Sequence, residues 1–160
     1  MAPTSSSSES ASQLEILFGD LVRCETRLYN GLNDWLRTRH GIVTSQYEFL
    51  RYLREHPASR VADIAAEFAI GIGATSKGAD RLERNGWVTR QPNPEDRRSS
   101  LLVLTEEGVR LIDAAEHTFS ERVTELVAGA LDASQIAAAA EAFSLLRSAL
   151  ERDQVGTPTG

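Results

Sequence analysis

Apolar residues recur every three or four positions near the start of the chain, which is the spacing of one face of an α-helix. The stripe keeps this period for roughly six turns and comprises Leu14, Leu17, Phe18, Leu21, Cys24, Leu28, Leu32, Trp35 and Leu36. Ser10 and Gln13 have the spacing of a capping box, which predicts that the helix begins there. A face of this length needs a large apolar surface to cover it.

Two segments near the end of the chain show the same periodicity. Thr105 precedes Glu106 and Glu107, which is typical of a helix N-cap with acidic residues in the first turn. The stripe of this helix comprises Ile112, Ala115, Phe119, Val123, Leu126 and Ala130, and that of the next helix, capped by Asp132 and Gln135, comprises Ile136, Ala140, Phe143, Leu146 and Leu150. Such extended faces predict a homodimer, in which two copies cover each other's apolar stripes.

The middle of the chain predicts three shorter helices. Thr44 is expected to cap the first, which carries Tyr47, Leu50 and Leu53 and stops at His56-Pro57. The other two helices are predicted over residues 61–69 and 74–85, separated by Gly71-Ile72-Gly73 and ended by Gly86.

A polar loop between two short apolar runs follows these helices. Trp87–Arg90 and Leu101–Leu104 are the predicted strands, and the loop between them contains Asn93-Pro94-Glu95-Asp96-Arg97-Arg98. Two short helices split by a glycine-rich break and followed by a hairpin indicate a winged helix-turn-helix, a module that usually binds duplex DNA. We therefore predict a mainly α fold with a small β-wing, in which the winged helix-turn-helix is flanked by N- and C-terminal dimerisation helices.

These elements predict five regions along the chain. Residues 1–9 form a disordered Ser-rich tail, residues 10–43 an N-terminal dimerisation helix, and residues 44–104 the winged helix-turn-helix DNA-binding region. Residues 105–152 form the C-terminal dimerisation helices, and residues 153–160 a second disordered tail.

The charge distribution favours DNA binding although the whole chain is acidic. The formal net charge is -6, yet residues 71–100 carry six cations and four anions, so the remainder carries -8. An acidic body with a basic face attracts a polyanion at one surface and repels it elsewhere. A solvated surface would also contain such charges, but these cations lie in the segments that would face DNA.

The composition and the absence of certain motifs argue against several classes of function. No apolar run approaches the roughly 20 residues that span a bilayer, and no basic stretch followed by an apolar one indicates secretion. The lone cysteine, Cys24, suits a reducing compartment, so we expect a cytoplasmic protein with no membrane partner. The chain lacks a nucleophile elbow, a phosphate loop and a dinucleotide fingerprint, so it predicts neither an enzyme nor a bound cofactor.

Several short motifs, in this order and spacing, resemble the MarR family of transcriptional regulators over roughly residues 13–150. They are Ile64-Ala65, Asp80-Arg81-Leu82-Glu83-x-x-Gly86-x-Val88, Asp96-x-Arg98 and Leu104-Thr105-x-x-Gly108. The resemblance implies a two-fold dimer whose terminal helices interleave, and binding to a pseudo-palindromic operator, usually to repress a neighbouring gene. It also implies release of the DNA by a small anionic or phenolic effector in many members.

The second helix of a helix-turn-helix enters the major groove, with its early residues at the base edges. We expect Gly73, Ala74, Thr75, Ser76 and Lys77 to lie there, with Arg81, Arg84 and Arg90 as phosphate contacts. The family usually has polar residues where this chain has Gly71 and Gly73, which suggests contacts made by the backbone or through water. Arg81 and Arg84 could instead pair with Asp80 and Glu83.

The wing tip has two compatible interpretations. Asp96 forms a salt bridge that stiffens the hairpin, while an arginine enters the adjacent minor groove. The family pattern favours Arg98 over Arg97 for this role.

The protein could sense a signal in three ways: by oxidation of a cysteine, by binding a metal, or by binding a small molecule in a pocket. Cys24 lies on the apolar stripe, which favours packing over redox sensing, and the scattered histidines predict no metal site. A pocket for an aromatic carboxylate is predicted from Trp35, Arg39, His40, Tyr47, Arg51 and His117, although Trp35 and Tyr47 could equally be core residues. The alternatives are a repressor or activator without a ligand, and a winged helix that binds protein.

Overall fold

The computed structural model describes residues 5–158 and consists mainly of helices around one small sheet. The elements in chain order are α1 (Ser5–His40), α2 (Thr44–Glu55), α3 (Val61–Glu67), α4 (Ile72–Arg84), β1 (Val88–Pro92), β2 (Ser100–Leu104), α5 (Glu106–Ala128) and α6 (Ala133–Arg152). The predicted fold class, mainly α with a β-wing, is confirmed.

The hydrophobic core lies where α2, α3, α4 and the sheet meet the first half of α5 and the last turns of α1. Its fully buried side chains include Leu36, Ile42, Tyr47, Leu50, Leu53, Ile64, Leu82, Leu102 and Ile112. These residues come from every element of the winged helix-turn-helix, so the core fixes α4 and the wing relative to each other.

The wing is an antiparallel pair in which Val88 lies opposite Leu104 and Pro92 opposite Ser100. An isolated bridge ties this pair to the segment before α3, since the Leu102 amide donates to the Ser59 carbonyl over 2.8 Å. The segment before α3 therefore holds the hairpin at the middle of β2.

Local capping sets most of the helix ends. The Thr105 hydroxyl accepts from the Gly108 amide, and Asp132 and Gln135 form the predicted capping box. At the start of α2, however, Val43 is the N-cap and its amide donates to the Gln46 side chain, so the prediction that Thr44 caps this helix was wrong.

Both predicted tails differ from the structure. Helix α1 already begins at Ser5, because neither proline nor glycine stands between Ser5 and Gln13 to end it, so residues 5–9 are helical rather than disordered. Residues 153–156 form a turn in which the Val155 amide donates to the Leu150 carbonyl, closing α6. Residues 1–4 and 159–160 lie outside the described residues, and the division into functional regions stays a prediction.

The outer helices pack unevenly. The C-terminal half of α1 runs antiparallel to α5, with Gly31 near Leu126 and His40 near Thr118. Most of residues 10–27 of α1 and nearly all of α6 are exposed, and α6 contains no buried residue. No single helix within residues 5–158 is long and apolar enough to cross a membrane; α5 and α6 meet that standard only together, across a bend of 109°.

Candidate nucleic-acid interface

Helix α4 separates its buried and charged residues onto opposite faces. Thr75, Ala79 and Leu82 are buried against the core. Lys77, Arg81 and Arg84 lie three or four positions apart on the solvent side, and none of them forms an ion pair within residues 5–158. The helix therefore presents a row of unpaired positive charge.

Arg90 on β1 forms ion pairs with two carboxylates of α4, those of Asp80 and Glu83. Its guanidinium donates to Asp80 over 2.6 Å and also bonds Glu83. Burial alone lowers the pKa of Arg90, but the hydrogen bond that it donates to Asp80 and the charge of Glu83 outweigh burial, so the pKa lies above its ordinary value. Arg90 thus joins the wing to α4, and the contacts of Asp80 and Glu83 with Arg81 or Arg84 suggested by the sequence do not form.

Hydrogen bonds within the wing loop organise its backbone. Buried Asn93 donates to the Ser99 hydroxyl over 2.8 Å and accepts from the Glu95 amide over 3.0 Å. Asp96 accepts from the Arg98 amide over 3.0 Å. The loop is consequently ordered before any partner arrives.

The wing arginines project from this loop. The predicted salt bridge of Asp96 is present, with the Nε of Arg98 at 3.4 Å, yet the Arg98 side chain is 93% exposed. Arg97 is exposed and forms no ion pair in the described part of the chain. Both arginines are thus accessible at the wing tip, and the entry of either into a DNA groove stays a prediction.

The start of α4 carries small residues and one large apolar side chain. Gly73 and Ala74 are exposed, Ser76 is half-buried, and Ile72 is 56% exposed. Thr75 does not suit its predicted role, because it is fully buried and its hydroxyl donates to the Gly71 carbonyl over 3.0 Å. Its side chain points into the protein rather than toward a partner.

Two residues of the predicted effector pocket lie against α5. The Nε2 of His40 is 2.7 Å from the Thr118 hydroxyl, and the Tyr47 ring stacks on Phe119 with 4.3 Å between centroids. Burial, followed by the charge of Arg39, lowers the pKa of His40. Tyr47 is fully buried, which agrees with the alternative that it is a core residue.

The other predicted pocket residues are dispersed. Arg39 stacks over the Trp35 ring at 3.3 Å, and Arg122 lies 4.9 Å from the same ring. Arg51 pairs with Glu55, and exposed His117 pairs with Glu121. The structure therefore does not gather these six residues around one space, and the pocket stays a prediction.

Two clefts flank the helix-turn-helix instead. One of about 390 Å³ lies under the wing, lined by Ala58, Arg60, Asp63, Asn93, Pro94, Glu95 and Leu101. The other, of about 320 Å³, lies between α2 and α4, lined by Val43, Ser45, Gln46, Phe49, Ile70, Ala74, Lys77, Gly78, Arg81 and Leu82. Neither includes any residue of the predicted pocket.

Cys24 is exposed in the single chain, whereas packing against apolar neighbours was predicted. It lies in the mostly exposed stretch of α1 between residues 10 and 27, before the part of α1 that packs against α5. No cluster of three potential metal ligands occurs among residues 5–158.

The sequence reasoning missed three features of this surface. Asp80 and Glu83 were not identified as partners of Arg90, although their spacing places both on one flank of α4. The stacking of Arg122 on Trp35 joins residues far apart in the chain and has no local signal. Ile72 could have been noticed as the one large residue between two glycines.

Comparison with known proteins places these features in a family. Residues 43–100 match the MarR family. The chain is 30% identical over 123 residues to the HTH-type transcriptional regulator YfiV of Bacillus subtilis, covering 75% of this chain and 73% of YfiV. It is 26% identical to the multiple antibiotic resistance protein MarR of Escherichia coli, covering 66% of this chain and 73% of that protein.

Solved structures agree with this assignment. The MarR family regulator Sco3205 of Streptomyces coelicolor, in complex with DNA, superposes with a TM-score of 0.82 at 24% identity, covering 92% of this chain and 93% of that one. A mutant of Escherichia coli MarR complexed with operator DNA gives a TM-score of 0.74 at 25% identity, covering 82% and 94%. The chain belongs to the MarR family and is a transcriptional regulator rather than an enzyme.

Proposed function

We propose that the protein is a homodimeric repressor that binds a pseudo-palindromic DNA operator through α4 and the wing, and that a small ligand releases it. The exposed cations of α4 and the wing carry this proposal. Lys77, Arg81 and Arg84 form one row, and Arg97 and Arg98 extend it at the wing tip. Relatives of the same fold have been solved with DNA bound.

Each part of this surface has a distinct task on DNA. The start of α4 enters the major groove, where base edges distinguish all four base pairs. The arginines farther along α4 meet phosphates, and a wing arginine enters the neighbouring minor groove. Because Arg90 pairs with both Asp80 and Glu83 and offsets one of their two negative charges, these acidic residues of α4 oppose the approach of the phosphate backbone less.

The exposed apolar faces support the homodimer. On α1, Phe18 is 68% exposed and Leu14 and Leu17 are similarly accessible. On α6, Phe143, Leu146 and Leu150 repeat at helical spacing and are also exposed. Contiguous apolar surface of this kind marks a protein interface, and a second copy of the chain supplies a matching one.

The operator follows from the symmetry of the dimer. Two copies related by a two-fold axis require inverted half-sites whose centres lie about 10–10.5 bp apart, or a multiple of that distance. Repression follows where such a site overlaps a promoter. For the ligand, an aromatic carboxylate is the chemistry we propose, because aromatic rings and guanidinium groups stack where α1 packs against α5, as Arg39 and Arg122 do on Trp35.

Fluorescence anisotropy with duplexes selected from a random pool tests the DNA-binding proposal. We expect tight binding that weakens steeply between 50 and about 200 mM salt, because released counterions drive phosphate binding. A scrambled duplex of the same composition is the control, and it should bind at least about a thousandfold more weakly.

Each of the other outcomes would favour a different function for this protein. Equal affinity for selected and scrambled duplexes would contradict operator recognition, and a winged helix that binds a protein partner would then be the better description. Selective binding that no aromatic carboxylate weakens would retain the regulator and remove the ligand, leaving a constitutive repressor or an activator.

A further inference from the structure

We infer that Ile72 contacts the 5-methyl group of a thymine in each operator half-site and thereby contributes to operator choice. This inference rests on the proposed DNA-binding function. The major groove presents the thymine methyl as its only apolar feature, and an aliphatic side chain at the start of the recognition helix is its natural partner.

The first observation is the exposure of Ile72 within an otherwise well-covered module. A single exposed aliphatic side chain is common on protein surfaces. Between residues 43 and 104, all of which the structure describes, Ile72 is nevertheless the only large hydrophobic residue that is exposed. The other exposed large hydrophobic residues lie outside this module, mostly on the α1 and α6 faces. Ile72 therefore belongs to neither the core nor the proposed dimer interface.

The second observation is the space around Ile72. Gly71 precedes it with φ of -63°, an ordinary value for any residue, and a Cβ on Gly71 or Gly73 would meet no atom within 4 Å. Packing and backbone conformation thus require neither glycine. Their lack of side chains leaves the first turn of α4 bare around Ile72, so the backbone and the isoleucine can approach a large partner closely.

The third observation is the position of Ile72 among the DNA-facing charges. Gly73 and Lys77 lie one turn apart on the outer face of α4, and Ile72 and Ser76 form the adjacent row. A duplex that contacts Lys77 along this face passes the first turn of the helix. The only large side chain exposed on that first turn is Ile72, which bears no hydrogen-bonding group and so contributes by apolar contact.

Replacing thymine by deoxyuridine tests the contact, since it removes the methyl group and keeps the base pairing. A selected duplex is prepared with one symmetric pair of thymines replaced at a time, and binding is measured by anisotropy. We expect the unaltered protein to lose about fourfold in affinity per half-site at one position, the value for burying one methyl-sized group. Ile72→Ala should bind the thymine duplex more weakly and be indifferent to deoxyuridine at that position.

Lys77→Ala is the matched control. It should weaken binding to every duplex and retain the sensitivity to deoxyuridine, because it removes charge from the same helix but leaves Ile72 in place. The melting temperature of Ile72→Ala should match that of the unaltered protein, since the side chain is exposed.

Three results would overturn the inference. Ile72→Ala could keep the full sensitivity to deoxyuridine, or the unaltered protein could show none at any thymine; in both cases operator binding stands and only the role of Ile72 fails. If selection yields no preferred duplex, operator recognition fails together with the contact.

Discussion

At the residue scale, Gly108 shows how closely the wing approaches α5. A Cβ on Gly108 would lie 2.1 Å from the Trp87 carbonyl oxygen, which belongs to the backbone and cannot move aside. The Gly108 amide also donates to the Thr105 cap. The glycine of the Leu104-Thr105-x-x-Gly108 motif is therefore required by contact with the strand rather than by its backbone angle.

Gly108→Ala is accordingly expected to destabilise the protein by about 1–3 kcal/mol, the usual cost of overpacking. Gly73→Ala is the control, because its Cβ would meet open space and alanine favours a helix by about 0.5–1 kcal/mol. Chemical denaturation at one protein concentration measures both variants. Equal stability of the two variants would show that the close contact with the Trp87 carbonyl does not require glycine at position 108.

His40 makes stability depend on pH. Burial and the charge of Arg39 lower its folded-state pKa, so below the unfolded-state value of about 6.5 the unfolded chain takes up the proton more readily. The free energy of unfolding should therefore fall as the pH drops from 7.5 toward 5.5. His40→Gln, which can still bond Thr118, should reduce this fall, as denaturation curves at the two pH values would show. If His40→Gln left the pH dependence of stability unchanged, titratable groups other than His40 would be responsible for it.

Residues whose roles depend on neighbours in sequence were predictable, and those that depend on distant contacts were not. Thr105 and Asp132 cap helices as their local patterns predict, because a cap bonds an amide only a few residues away. Thr75 was assigned to DNA although it is buried, since position in a helix does not reveal rotation about its axis without the core.

At the element scale, Arg90 braces β1 against α4. The pairing with Asp80 and Glu83 joins two elements, and it is three-quarters buried on the arginine side. We expect Arg90→Ala to lower the unfolding free energy by about 1 kcal/mol. Asp80→Asn with Glu83→Gln should have a similar effect, and the triple variant should lose no more than Arg90→Ala alone. Strict additivity in this double-mutant cycle would show that the three groups act separately.

The wing should contribute to DNA affinity mainly through Arg98. Arg98→Ala is expected to weaken binding by about tenfold to a hundredfold, and Arg97→Ala by less, as anisotropy would measure. Arg110→Ala on α5 is the control, because this exposed arginine lies away from the wing tip and pairs with Glu106. Unchanged affinity in both wing variants would exclude a minor-groove role for the tip.

The elements themselves were largely predictable, because each has a period or a stop signal of its own. The strands and α2 to α6 lie within a few residues of the predicted positions. The start of α1 was misjudged, since a serine-rich sequence favours disorder without excluding a helix. The partners of Arg90 depended on how β1 lies beside α4, which no local pattern specifies.

At the scale of the whole molecule, the single chain leaves its longest apolar faces uncovered. Leu145 on α6 is 67% exposed and Phe18 on α1 is 68% exposed, while the module between them has an ordinary buried core. The fold of one copy therefore explains the DNA-facing surface but not the outer helices. Cys24 lies in the same exposed stretch of α1 as Phe18.

Phe18→Glu combined with Leu146→Glu tests whether these faces hold two copies together. Both side chains are exposed in the single chain, so the substitutions leave the core intact and add repelling charge only at the proposed interface. We expect a monomer by sedimentation velocity and at least about a hundredfold weaker operator binding, because two linked half-site contacts become one. Ser148→Glu, on the opposite side of α6, should keep the dimer and its affinity. A double variant that stays dimeric would place the interface elsewhere, and a monomer with full affinity would show that one winged helix-turn-helix suffices for the operator.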